Sequence, residues 1–504
     1  MIATAHSATI LGAQGQPITV EVHVAQGLPA YAVVGLPDEA CRESRDRVRA
    51  AVLSSGLTWP AKRITVNLAP ATQRKGGSGL DLAIAVGVLV ADGQLPPERL
   101  NGLGFIGELG LDGSVRPVVG AAPMAAATLA DEIVVPVGSY REARAVAWST
   151  IRVVAHLADL AAVARGEAPW PAPPDERALD DPPPPLDLAD VRGQTSARLA
   201  LEIAAAGEHH LLLVGPPGSG KTMLAQRMPG LLPPLSPQLA LEATMVHSAA
   251  GLHLPPCGLV RHPPFRAPHH SSSLVSLVGG GTSNLRPGEA SCAHGGILFL
   301  DELGEFPRSV LDGLRQPLEE GVVRVARARL SVTLPARFLL VAATNPCPCG
   351  GGPPGACSCD DVARQRYLRR LSGPLLDRFD LRVGVDRPAV DELLSAGGEE
   401  RTATVAARVD AARARAIERS GMTNSAIPPA HLDLWAPLTP AARQLLRAQL
   451  EGDLLSGRGY HRIRRDARTI ADLHGDTELV DECHVALALS MRVRVGRSVQ
   501  GRAA

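Results

Sequence analysis

Gly215-Pro-Pro-Gly-Ser-Gly-Lys221-Thr222 follows four apolar residues, Leu211 to Val214, and opens into Met223-Leu-Ala-Gln-Arg227. An apolar run, a glycine-rich turn and a helical start, in that order, confine this part of the chain to a strand–loop–helix unit whose turn cradles phosphate with backbone N–H groups. Gly215, Pro216, Pro217, Gly218, Ser219 and Gly220 form the cradle. Lys221 reaches the terminal phosphates, and Thr222 is placed to ligate magnesium. Only three lysines occur in the chain, Lys62, Lys75 and Lys221, so the one at 221 stands out against an arginine-rich background. A compact ammonium suits phosphate there in a way a planar guanidinium does not.

A second apolar run, Gly296-Ile-Leu-Phe-Leu300, ends in Asp301-Glu302. After a phosphate loop, such a strand supplies what ATP hydrolysis needs: Asp301 to hold magnesium, directly or through water, and Glu302 to orient or deprotonate the attacking water. The competing reading is a helix start with acids in its first turn. A third run, Phe338 to Ala343, ends at Thr344-Asn345, where the amide can hydrogen-bond the γ-phosphate or the water. The expected cofactors are ATP and magnesium.

At 504 residues the chain is too long for one core, and about three domains of ~150 residues are expected. Residues 1–165 alternate β-type runs (Ile18 to Val24, Ile64 to Leu68, Glu132 to Pro136) with alanine-rich helical segments, an α/β pattern. Residues 166–185 form a Pro-rich linker. Residues 186–385 are a second α/β domain carrying the phosphate loop, and 386–504 read as helical. No apolar stretch approaches the ~18 residues that span a bilayer, and no leader is apparent, so a cytoplasmic protein without membrane contact is expected. The 51 basic and 51 acidic residues cancel, which leaves any nucleic-acid contact to local patches.

Four of the eight cysteines, Cys347, Cys349, Cys357 and Cys359, fall within thirteen residues. Four thiolates on one Gly- and Pro-rich loop can surround a zinc ion, although C-x-C is tighter than the common C-x₂-C; thiols with no metal are the alternative. His269-His270 also invites a metal reading, but neighbouring side chains are expected to point apart, which favours a loop role. From Val322 to Thr333 two β-type runs carry Arg324, Arg327 and Arg329, with no acid following until well beyond them. Such a hairpin either grips a nucleic-acid backbone by charge or is a solubilised surface element. With fourteen aromatic residues in all, a base-stacking platform is not expected, and DNA binding would be phosphate-directed and indifferent to sequence.

Taken together, Val191-Arg-Gly-Gln194, Gly296 to Glu302, Ala343-Thr-Asn-Pro346 and Ser372-Gly-Pro-Leu-Leu-Asp-Arg-Phe-Asp380 resemble an AAA+ ATPase of the magnesium-chelatase type. Pro264-Phe-Arg-Ala-Pro-His-His270, Val278 to Gly281, Leu314-Arg-Gln-Pro-Leu-Glu319, Asn345-Pro-Cys-Pro-Cys-Gly350 and Ala467 to Leu473 resemble, more narrowly, the YifB/ComM group of bacterial proteins, over nearly the whole chain. The resemblance implies a P-loop AAA+ domain followed by a helical lid, assembled as a homo-hexamer. It makes Arg378 the arginine finger for a neighbour's ATP and Arg458, in Ser456-Gly-Arg-Gly-Tyr460, the second sensor arginine of the lid, with Gly457 and Gly459 departing from the usual string. It also implies action on branched or single-stranded DNA in recombination and natural transformation, by branch migration or helicase activity.

The N-terminal region resembles the Lon protease domain, a ribosomal S5 domain 2-like α/β fold, through Lys75-Gly-Gly-Ser78-Gly-Leu-Asp81-Leu and Gly107 to Pro117. The Ser–Lys dyad of that family would fall on Gly79 or Ser78 and on Ala122, so a non-proteolytic domain is expected. Rival readings are a magnesium-chelatase motor subunit, an ATP-dependent protease and an ATP-switched scaffold.

Overall fold

The computed structural model describes residues 1–71, 75–175, 186–281, 285–327, 330–351, 357–370, 373–394, 399–475 and 478–493. Half of the linker (176–185), Arg329 and Ser372 therefore lie outside the described residues. The N-terminal region is built on a seven-stranded sheet in the order Ala30–Val34, Arg63–Ala69, Gln14–Ala25, Ile2–Leu11, Leu103–Phe105, Glu132–Pro136, Thr150–Val154. Its first two chain segments form a long antiparallel pair; the last three strands run parallel to Ile2–Leu11. In Gln14–Ala25 the alternation of Ile18, Val20, Val22 and Val24, all buried, with exposed or half-buried neighbours gives the strand one core face. The helix Asp81–Ala91 is buried at every position, as its nearly unbroken apolar sequence demands.

The region that follows has a five-stranded, wholly parallel sheet in the order Phe265–Arg266, Ile297–Leu300, Leu339–Thr344, Leu211–Val214, Leu381–Gly384. Every residue of Ile297–Leu300 and Leu339–Thr344 is buried. Continuous apolar runs are what a parallel sheet covered on both faces requires. The segment read as a basic hairpin is an antiparallel pair, Val322–Arg327 with Leu330–Pro335. Val323, Val332 and Leu334 anchor its base in the core, while Arg324 is exposed and paired with Glu320. The partner acid comes from before the hairpin, on the adjoining helix Arg315–Glu320, so Arg324 is paired although no acid follows it in the hairpin.

Beyond the sheet the chain is helical, with Thr402–Ser420, Pro440–Glu451, Gly457–His474 and Glu482–Ser490 as its main elements. Val405, Val409, Ile463 and Ile470 share one core with the strands and with the helix Thr195–Gly207. The N-terminal region is seated on this body at two places. Ser248, on the helix Pro237–Ala250, accepts from Gly120 N and Ala122 N and donates to Glu142. At the second place, the turn at Gly12 lies against the hairpin, where a Cβ would fall 2.7 Å from Val332 Cγ1 and 2.9 Å from Leu334 Cδ2.

Candidate functional site

Leu211–Val214 lies inside the parallel sheet, between Leu339–Thr344 and Leu381–Gly384, with Leu211, Leu212 and Leu213 buried. The strand ends where Gly215 N donates to Thr344 O at 3.1 Å, and a Cβ at 215 would overlap the Val385 carbonyl. Gly218 and Gly220 have open space around them but φ of +76° and +90°, a backbone region that disfavours side chains. The loop is thus shaped by glycines for two different reasons, crowding at its start and conformation at its turn.

The side chains expected to act on phosphate converge here. Lys221 Nζ donates to Gly215 O at 2.8 Å and Pro216 O at 2.7 Å and approaches Asn345 Oδ1 at 3.3 Å. Burial lowers its pKa, and the carboxylates of Asp301 and Glu302 oppose that shift. Thr222 Oγ1 donates to Asp301 Oδ2 at 2.7 Å, so a hydroxyl and a carboxylate suited to a hard divalent cation already touch. Asp301 Oδ1 accepts from Glu302 N at 2.9 Å, and Glu302 sits in the left-handed region at φ 51°. The Ser219 hydroxyl is buried with no hydrogen-bond partner among the described residues. An open glycine turn, a half-withdrawn ammonium, an orphaned hydroxyl and a paired Thr–Asp set fit a magnesium nucleotide.

Several contributors had no role at this site assigned from the sequence. His270 Nδ1 stands 3.0 Å from Glu302 Oε2, and its ring lies 4.1 Å from that of His269. The two histidines therefore lie side by side rather than pointing apart; adjacent residues diverge only in a regular strand, and this segment is irregular. Tyr367 OH contacts Thr344 Oγ1 at 3.0 Å and its ring packs against Gly304, just past Glu302. Gln194 Nε2 bonds Ser219 O at 3.1 Å and also Asp386 O, tying the segment before the first helix to the loop. Nothing in spacing pointed to His270 or Tyr367, which reach the site only through tertiary structure.

Arg378 and Arg458 are elsewhere. Both line a cleft of ≈ 960 Å³ that also includes His210, Gly296, Phe338 and Glu319. His210, Gly296 and Phe338 immediately precede strands whose far ends carry the phosphate loop, Asp301 and Asn345. Gly215 is five steps along the chain from His210, roughly 16 Å at the rise of a strand. Arg378 bonds Glu319, and Arg458 is at the start of the helix Gly457–His474, capped by Ser456 Oγ on Gly459 N at 3.1 Å. The glycine loop with Asp301 and Asn345 and the two arginines thus stand at opposite strand ends of one sheet.

This parallel sheet, with its phosphate loop and acidic strand end, defines a P-loop ATPase of the AAA+ class. Family models agree: "Magnesium chelatase, subunit ChlI" matches residues 187–393, "Subunit ChlI of Mg-chelatase" residues 20–139, and "Magnesium chelatase, subunit ChlI C-terminal" residues 399–492. The chain is 42% identical to the uncharacterized protein YifB of Escherichia coli, covering 97% of this chain and 96% of that protein. It is 41% identical to the competence protein ComM of Haemophilus influenzae, with 98% of each covered. A shorter match, 27% over 35% of this chain and 22% of the other, is to the probable DNA helicase MCM9 of Arabidopsis thaliana. The chain belongs to the YifB/ComM family of magnesium-chelatase-like AAA+ ATPases, a class that uses ATP and Mg²⁺.

Proposed function

We propose that the protein is a hexameric, ATP-hydrolysing motor on DNA, acting by branch migration or helicase activity in recombination and natural transformation. The observation that supports this reading is the two-ended sheet: Arg378 and Arg458 line the cleft at His210, Gly296 and Phe338, where the strands begin, while the glycine loop, Asp301 and Asn345 stand where those strands end, an arrangement in which the arginines would serve a neighbour's phosphates. Repeating that head-to-tail contact closes a ring. In such a ring Lys221, Ser219 and the loop N–H groups bind the phosphates, while Thr222 and Asp301 hold magnesium. Bound there, the metal nucleotide supplies the bond whose cleavage drives the motor. Glu302, released from His270, orients and deprotonates water; Asn345 holds that water in line; the neighbour's arginines stabilise charge on the departing phosphoryl oxygens.

DNA as substrate is supported by the exposed Arg324 of the hairpin and by the names of the relatives, a competence protein and a probable helicase. In this reading residues 1–165 are a non-proteolytic, Lon-like collar, 186–385 the ATPase domain, 386–504 the lid, and the protein works in the cytoplasm. Each lysine is engaged away from any dyad: Lys62 on Asp92, Lys75 on Pro70 O, Lys221 on its own loop. Ser78 bonds Glu108 instead. The magnesium-chelatase names of the family models favour a second reading, a motor subunit for metal insertion.

ATPase rate with branched, single-stranded and duplex DNA, beside strand displacement on a model junction, separates the two. Stimulation by DNA and junction movement that vanishes in Glu302→Gln are expected. A rate indifferent to every DNA overturns the motor reading.

A further inference from the structure

Cys347 leaves the strand Leu339–Thr344 two residues after Asn345, and Cys349, Cys357 and Cys359 gather around it. Cys347–Cys349, Cys349–Cys357 and Cys357–Cys347 sulfur separations are each 3.4 Å, and all four sulfurs lie within 4.8 Å of one another. These distances are well beyond a disulfide bond, and none joins the four. A tetrahedral four-thiolate zinc site with ~2.3 Å bonds has sulfurs ~3.8 Å apart, so the cage is one ion wide. An iron–sulfur cluster sets several irons among the same ligands and needs them more widely spread.

Four thiolates around a divalent ion leave two excess negative charges, and the surroundings supply donors to meet them. Gly351 N donates to Cys349 Sγ at 3.4 Å, Cys359 N to Cys357 Sγ at 3.3 Å, and the Arg364 guanidinium to Cys357 Sγ at 3.5 Å. Outer donors of this kind orient thiolate ligands and offset their charge. Four protein ligands also leave no open position, which marks a structural rather than a catalytic metal.

The same loop forms a wall of the nucleotide site. Gly350, with φ +71°, lies directly against the phosphate loop: a Cβ there would fall 2.6 Å from Pro217 Cγ. At the other end of the loop, Asn345 meets Lys221. We infer that Cys347, Cys349, Cys357 and Cys359 bind one structural zinc ion, and that this knot fixes Asn345 and the backbone at Gly350 against the phosphate loop. The second half rests on the nucleotide-binding reading above; the first does not.

Metal analysis of the full chain purified without chelator should find about one zinc per chain, and cobalt substitution should give the intense visible bands of tetrahedral thiolate coordination. Cys349→Ser should lose the metal, whereas Cys257→Ser, at an exposed thiol elsewhere, should keep it. Zinc release by a mercurial thiol reagent, followed with a metallochromic dye, should weaken binding of a fluorescent ATP analogue about tenfold, the scale on which positioning shells act. Iron in place of zinc, or no metal and no cobalt spectrum, overturns the site. Zinc present but nucleotide affinity unchanged on its release overturns the bracing role. Zinc present in a protein that binds no nucleotide at all keeps the metal site and overturns the ATPase reading instead. The cobalt spectrum is taken on the unmutated chain, so a variant that fails to fold does not leave the question open.

Discussion

The opposed placement of phosphate loop and arginines makes a quantitative demand on mixed assemblies. Lys221→Ala removes the loop's cation but leaves both arginines; Arg458→Ala does the reverse. Each alone should lose about 10³-fold or more of the ATPase rate, as expected when a phosphoryl-transfer charge goes uncompensated. If arginine and loop meet only across a subunit boundary, a head-to-tail ring assembled at random from equal parts of the two variants has an intact loop facing an intact arginine at about one boundary in four (one half times one half). The mixture should therefore recover about a quarter of the unmutated rate per chain, having started from almost nothing. Arg378→Ala mixed with Lys221→Ala should behave alike. The assay is steady-state phosphate release after co-refolding or subunit exchange, with assembly checked by light scattering. A mixture no more active than its separate components, for Arg458 but not for Arg378, would refute the shared placement and assign Arg458 to its own loop. The basis is the sheet itself: roughly 16 Å of strand lies between His210, at the arginine cleft, and Gly215.

Glu302→Gln should keep nucleotide affinity while hydrolysis falls by about 10²–10⁴-fold, measured by fluorescent-analogue binding beside phosphate release. Gly350→Ala places a methyl against the Pro217 ring at a positive φ, a strain of about 1–3 kcal/mol, and should weaken ATP binding while zinc content holds. Asp81 is fully buried beside Arg47, and burial pushes its carboxyl up to about 6 against the guanidinium's pull. A folded-state value above the unfolded one means its stabilising share is complete below the ordinary carboxylate range and is lost as pH rises through 6. Urea titrations of the unmutated chain and Asp81→Asn should therefore differ by about 2 kcal/mol in how stability changes between pH 4 and 7.

The mixed α/β architecture, the three strands around the glycine loop and the family were legible because those strands are unbroken apolar runs ending in chemically distinctive residues. Leu211–Val214, Ile297–Leu300 and Leu339–Thr344 need no tertiary context to be seen. Ile2–Leu11 was missed because its buried face is not apolar throughout. Ser7 and Thr9 are buried there and bond Phe105 O and Gly76 O, so polar residues occupy positions that a hydrophobic alternation would mark. The site divided similarly. Residues at strand ends could be placed from their strands, whereas His270 reaches Glu302 from 32 positions earlier, and Arg378 and Arg458 meet from separate elements. Spacing along a chain does not encode which edge of a sheet a later helix will cover.

The seating of the Gly12 turn on the hairpin has a mechanical corollary. Val332 and Leu334 leave no room for even a Cβ at Gly12, and close-packed interiors yield by small discrete steps rather than by stretching. Any stroke of the hairpin must then either carry the whole front of the subunit along or stay within the slack of a van der Waals contact. In the proposed ring, the front region would then set how far each hairpin can travel.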